Sequence, residues 1–175
     1  MTLLPVIDAC DNFSLTTTAE RLIPFYLSPE ATTPIGFLFP QVHDLLQTHN
    51  ANAPGFQIKP DRVSFASNID TFDARSTVCK ALCEKWRDDG LFSDVIGGRL
   101  WRDELYAIYA SPFRDINIKS AVFAMERVCC ALFGLVTYGI HMTMFTDDGR
   151  IWVPRRSRSK QTYGLSSFRT LNLTH

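Results

Sequence analysis

Four cations stand close together at Arg155, Arg156, Arg158 and Lys160, in the stretch "VPRRSRSKQTY". Guanidinium and ammonium groups at that spacing can hold a phosphate through charge-assisted hydrogen bonds, with Arg155, Arg156 and Lys160 as the candidate ligands. On the residues alone a solvated basic loop is the favoured reading, and the phosphate site is the alternative. His141 is a second candidate, as a general base. It lies in an apolar run with no GxSxG nucleophile pattern, so a hydrogen-bonded core histidine is the favoured reading. Neither GxxxxGK[ST] nor GxGxxG occurs, and Asp88-Asp89 and Asp147-Asp148 read as solvated carboxylates at a helix end and in a turn.

The five cysteines, Cys10, Cys79, Cys83, Cys129 and Cys130, contain no CxxC pair and no CxxC…HxxxH spacing that would hold zinc tetrahedrally. Buried reduced thiols are the expectation, as in a protein kept in a reducing compartment. The opening "MTLLPVIDACDNF" has no basic n-region and meets Asp8 and Asp11 early, which argues against a signal peptide and for a cytoplasmic chain. Lysine plus arginine equals aspartate plus glutamate at 18 each, so bulk charge calls for neither a nucleic-acid nor a membrane partner. With 46% apolar and 12% aromatic residues the chain can bury a real core.

The elements that must position these residues read as α+β. The clearest is a helix in "DARSTVCKALCEKWRDDG", where Val78, Cys79, Leu82, Cys83 and Trp86 gather on one stripe and Lys80, Glu84, Lys85 and Arg87 face water. Asp73 is its expected N-cap and Gly90 its left-handed C-terminal residue. Earlier, Leu3 to Phe13 suits a short amphipathic helix, "RLIPFYL" a strand broken by Pro24, Ile35 to Phe39 a strand, and Pro40 to Asn50 a helix. Ala51 to Asp61 reads as turn and Val63 to Phe65 as a brief strand. Later, "LWRDELYAIY" reads as a strand ended by Ser111-Pro112, and "FAMERVCCALFG" as a helix exposing Glu126 and Arg127. The uncharged run from Val128 to Phe145 fits the end of that helix and a strand from Leu135 better than a membrane span. A hairpin then turns at Asp148-Gly149, as in a type I′ turn.

Three stretches, "DDGLFSDVIGGRLWRDELYAIY", "AMERVCCALFGLVTYGIHMTMF" and "RIWVPRRSRSKQTY", closely resemble the N-terminal half of the fungal Nudix hydrolases related to thiamine pyrophosphokinase. In that family a domain of unknown function, of the DUF4743 kind, precedes a Nudix α/β/α sandwich. The resemblance implies an N-terminal domain over residues 1–119 and the opening helix and hairpin of a Nudix fold over 120–163; residues 164–175 diverge from it and, with no strong helical stripe and no paired turn, read as a disordered tail. It also implies, for complete family members, Mg²⁺-dependent hydrolysis of diphosphates related to thiamine diphosphate or to oxidised nucleotides.

The family's Nudix box stacks glutamates on one helix face to gather Mg²⁺. The glutamates of this sequence are Glu20, Glu30, Glu84, Glu104 and Glu126, and no two lie within one helical turn. The expectation is therefore a truncated family member without hydrolase activity or cofactor of its own. The alternatives are a regulatory module binding a phosphorylated small molecule or a protein, and an unrelated enzyme using His141 or a cysteine.

Overall fold

The computed structural model describes residues 21–111, 120–139 and 144–152, with Pro5 alone before them. Its first sheet has four strands: β1 (Ile23–Tyr26), β2 (Gly36–Leu38), β3 (Phe56–Lys59) and β4 (Arg62–Phe65). They lie in the order β2-β1-β4-β3, with β1 antiparallel to β2 but parallel to β4. Pro24 does not break β1. The Ile35 N–H donates to the Phe25 carbonyl on the β2 side, so Pro24 faces the β4 side, where pairing starts only at Phe25 opposite Val63. The donor that proline lacks is thus not needed there.

Helix α1 (Pro40–Asn52) begins at its proline as expected and runs two residues past Asn50. The stretch after it holds more than turn, because "FQIK" forms β3. Asn50 fixes that entry: its Oδ1 accepts from the Gly55 and Phe56 amides at 2.9 Å each, and its Nδ2 donates to the Phe56 carbonyl at 2.9 Å. His43, buried on α1, ties the far end of β3 by donating from Nε2 to the Lys59 carbonyl at 3.1 Å.

Helix α2 (Phe72–Asp88) carries the stripe expected of it, with Cys79, Leu82, Cys83 and Trp86 buried. Its N-cap is Thr71, whose hydroxyl accepts from Ala74 N at 3.1 Å, and Asp73 falls inside the first turn. Threonine at this position is extended and reaches the free amide three residues on, which Asp73 cannot do from within the helix. The C-terminus is a Schellman motif, with Leu91 N to Trp86 O at 2.9 Å, Gly90 N to Arg87 O at 3.0 Å, and Gly90 at φ +72°. A single-turn helix, α3 (Ser93–Ile96), and a 3-10 turn at Gly98–Leu100 follow.

Strands β5 (Leu105–Tyr109) and β6 (Ala121–Glu126) form an antiparallel pair beside α2. The segment read as the helix "FAMERVCCALFG" is therefore β6 followed by a 3-10 turn at Arg127–Ala131. Its apolar residues suit either state. The edge of β6 is closed by α2 side chains: Ala124 N donates to Ser76 Oγ at 2.9 Å, and Arg75 donates to the Val122 carbonyl at 3.4 Å. These bonds, and pairing with β5, override helix propensity. Residues 135–139 have no regular structure, residues 140–143 lie outside the described residues, and the strand expected from Leu135 to Phe145 is present at its end as β7 (Met144–Phe145), paired with β8 (Ile151–Trp152).

The β7–β8 turn is not type I′. Gly149 has φ +80°, but Asp148 is not among the residues with positive φ. Thr146 N bonds Arg150 O at 2.9 Å and Gly149 N bonds Thr146 O at 2.9 Å, the pattern of a turn followed by a left-handed glycine bulge.

One core joins all but the last hairpin. Phe25 meets Phe65 at 5.3 Å and Phe133 at 5.6 Å between ring centroids, Phe65 meets Phe123 at 5.2 Å, and Trp86 meets Phe133 at 6.0 Å. This chain of rings joins the four-stranded sheet, α2 and the segment after residue 120. The boundary expected near Lys119 falls between the two paired strands β5 and β6. The expected helix at Leu3 to Phe13 and the tail 164–175 lie outside the described residues.

Candidate functional site

A cleft of about 130 Å³ opens where α2, the approach to β5 and the end of β6 meet. Lys80, Cys83 and Glu84 come from one face of α2, at i, i+3 and i+4. Trp101, Asp103 and Leu105 come from the segment entering β5, and Glu126 from the last position of β6.

Glu126 organises the site. It is 4% exposed, and its two carboxylate oxygens accept from Arg102 N at 3.2 Å and Glu104 N at 3.0 Å. Those amides belong to a stretch with no ladder of its own, so the carboxylate replaces the missing backbone partners. Between them Asp103 sits at φ +53°, a left-handed conformation uncommon outside glycine but tolerated by aspartate. Arg127 closes the far side: its N–H donates to the Glu104 carbonyl at 2.8 Å and its guanidinium to the Glu104 carboxylate at 2.8 Å. The same guanidinium lies 5.5 Å from the centroid of the Tyr106 ring. Tyr106 in turn donates from its hydroxyl to the Tyr138 carbonyl at 3.1 Å and accepts from the Tyr138 N–H. The Trp101 ring is held by Arg87, whose guanidinium lies 4.5 Å from its centroid.

The charges around the cleft do not balance. Lys80 stands 4.0 Å from Glu84, Arg127 pairs with Glu104, and Arg87 pairs with Asp88 at 2.9 Å. Among the described residues no cation is paired with Glu126 or Asp103. Arg102 Nε is the single buried side-chain polar atom without a partner among the described residues, and Arg102 does not line the cleft.

The described cysteines give this site no nucleophile, and Cys10 lies outside the described residues. Cys79, Cys83, Cys129 and Cys130 are free and buried, as expected of core thiols. Burial, together with the neighbouring thiols, holds Cys79 far above the usual thiol range. A hydrogen bond with Cys129, then burial, does the same for Cys83, and burial pushes Cys130 up to about 12. Thiols so protonated are poor nucleophiles and poor metal ligands. Among the described residues no three His, Cys, Asp or Glu side chains converge on a point where a metal ion could sit, and no helix is long and apolar enough to cross a membrane.

Arg155, Arg156, Arg158, Lys160 and His141 lie outside the described residues. Reading the sequence missed Glu126, because a helix was expected there and would have turned it to solvent. It missed Trp101 and Asp103 because their role depends on that carboxylate.

The family described as "Domain of unknown function (DUF4743)" matches residues 2–137. The chain is 30% identical over 148 residues to "Uncharacterized protein YJR142W" of Saccharomyces cerevisiae, a match covering 81% of this chain and 40% of that protein. It is 35% identical over 65 residues to "Nudix hydrolase 20, chloroplastic" of Arabidopsis thaliana, covering 35% of this chain and 16% of that protein. The matched segments thus span well under half the length of either relative. The match over residues 2–137 takes in every lining residue of the cleft and the ring chain through Phe133, and the chain belongs to the DUF4743 family.

Proposed function

We propose that these residues form the non-hydrolytic domain of a Nudix-related protein, a binding and scaffolding unit and not a diphosphate hydrolase by itself. The partial likeness to a Nudix hydrolase supports the relation. The single observation that carries the non-hydrolytic part is the glutamate spacing: Glu20, Glu30, Glu84, Glu104 and Glu126 cannot be stacked on one helix face. Mg²⁺ requires several oxygen ligands at close to octahedral geometry, and the donors of these residues do not meet that demand. In this reading, diphosphate chemistry on thiamine-related or oxidised nucleotide substrates belongs to complete relatives. Arg155, Arg156 and Lys160 would at most hold a phosphate of such a ligand, and the domain would work in the cytoplasm.

The test is release of phosphate from thiamine diphosphate and from nucleoside diphosphates by the purified 175-residue chain. No turnover above the Mg²⁺-only background is expected. Turnover that rises with Mg²⁺ and disappears with EDTA would overturn the proposal.

A further inference from the structure

We infer that the cleft between α2 and the entry to β5 binds a small organic monocation: a protonated amine carried on an apolar body. This goes beyond the Nudix reading and does not depend on it, because every residue used lies among the described residues and none belongs to a Nudix box.

The cleft is a formed concavity, with Trp101, Leu105 and Cys83 supplying apolar wall. Glu126 lines it while 4% exposed, and carboxylates so deeply buried are rare unless paired. The amides of Arg102 and Glu104 each occupy one position on its two oxygens, which leaves acceptor capacity on both and the charge without a cation among the described residues. Asp103, at the cleft and with no cation paired to it, adds a second negative charge, while the nearby Arg127, Arg87 and Lys80 already face Glu104, Asp88 and Glu84.

The ligand class follows from that balance. An anion would meet three carboxylates, Glu84, Asp103 and Glu126, against one ammonium, Lys80. A bare metal ion would need donors that converge, and no such group occurs among the described residues. An ammonium on an aryl or alkyl body meets the carboxylates with its charge and the indole and Leu105 with its hydrocarbon. Leu105 is 66% exposed, an apolar lip that such a body would cover.

The experiment is an NMR titration of the full chain, following the Trp101 indole N–H and the Arg102 and Glu104 amides. The probes are benzylammonium, benzyl alcohol and benzoate, alike in shape and different in charge. Benzylammonium is expected to shift these signals saturably, benzyl alcohol more weakly, and benzoate not at all, with affinity falling as salt rises. Asp103 is exposed and Glu84 is half-buried with a surface ion pair to Lys80, so Asp103→Asn and Glu84→Gln should leave the fold intact. Asp103→Asn should weaken binding about two- to five-fold, the range of an exposed ion pair, and Glu84→Gln should weaken it at least as much, because the released Lys80 ammonium repels the ligand. Trp101→Leu should weaken it further. Equal shifts with all three probes, shifts elsewhere on the surface only, or no saturable shift with benzylammonium would each overturn the inference.

Discussion

Gly36 and Gly134 interlock backbone to backbone. A Cβ built on Gly36 would stand 2.3 Å from the Phe133 carbonyl oxygen, and one built on Gly134 would stand 2.4 Å from the Phe37 carbonyl oxygen. Gly134 also has φ +56°. The edge strand β2 and the turn after residue 131 therefore approach as closely as only glycine permits on both sides. Gly36→Ala and Gly134→Ala are each expected to destabilise the fold by about 1–3 kcal/mol or more, since backbone has to move in either case. Urea unfolding of the two single variants and the double variant checks this. Strictly additive losses would mean the two positions are not coupled.

Removing the Glu126 carboxylate should loosen one segment selectively. Glu126→Ala leaves the Arg102 and Glu104 amides without their acceptors, a loss of about 1.5–3 kcal/mol for each bond to a charged group if water does not replace it. Amide exchange should accelerate at 102 and 104 more than at Phe25 or Val63. Uniform acceleration throughout would mean that Glu126 acts as general core and not as the tie of this loop.

The contrast between Trp86 and Glu126 shows what was legible in the sequence. Helix α2 announces itself through a 3.6-residue stripe, so Trp86 is found where expected, 1% exposed and stacked near Phe133. Gly90 and Pro40 mark helix ends by local chemistry alone and are likewise where expected. Strand β6 is different, because "AVFAMERVCC" is apolar enough for a buried strand or a buried helix and periodicity cannot separate the two. The decision is made by bonds to Ser76 and Arg75, residues more than forty positions away. A helix over this stretch would turn Glu126 to water, whereas as the last residue of β6 it is buried beneath the cleft it organises.

The four core thiols should resist modification. With Cys130 at about 12 and Cys79 and Cys83 held well up by burial and their neighbours, iodoacetamide at pH 8 should label none of Cys79, Cys83, Cys129 and Cys130 in the native chain, and all of them in urea. Raised thiol values also link to stability. The folded state favours the protonated thiols, so that contribution is complete below the unfolded thiol range, about 8.5, and is lost as pH rises towards the folded values. Peptide mapping after native labelling reads the first point, and rapid native labelling of Cys83 would contradict it.

At the other end of the scale, His49 is lowered from 6.5, mainly by burial and then by the Lys85 charge, with Asp89 opposing. The folded state therefore disfavours its protonation. The contribution is present above about 6.5 and is lost as pH falls through the lowered folded value. His49→Gln should flatten the fall of the urea midpoint between about pH 7 and pH 5, with the sign set by the lowered value. A steeper acid loss in the variant would show that the sign is reversed.

The most direct measurement of the central claim, that residues 21–109 and 120–137 form one domain, is native-state hydrogen exchange across denaturant. The β5–β6 pairing and the Phe25, Phe65, Phe123, Phe133 and Trp86 rings make these segments a single packed unit. The expected result is that the amides of Phe123 and Met125 in β6, Leu82 in α2 and Val63 in β4 converge on one unfolding isotherm. If residues 120–137 open on a separate, lower isotherm while Leu82 and Val63 stay protected, the segment after residue 119 is a distinct unit and the claim fails.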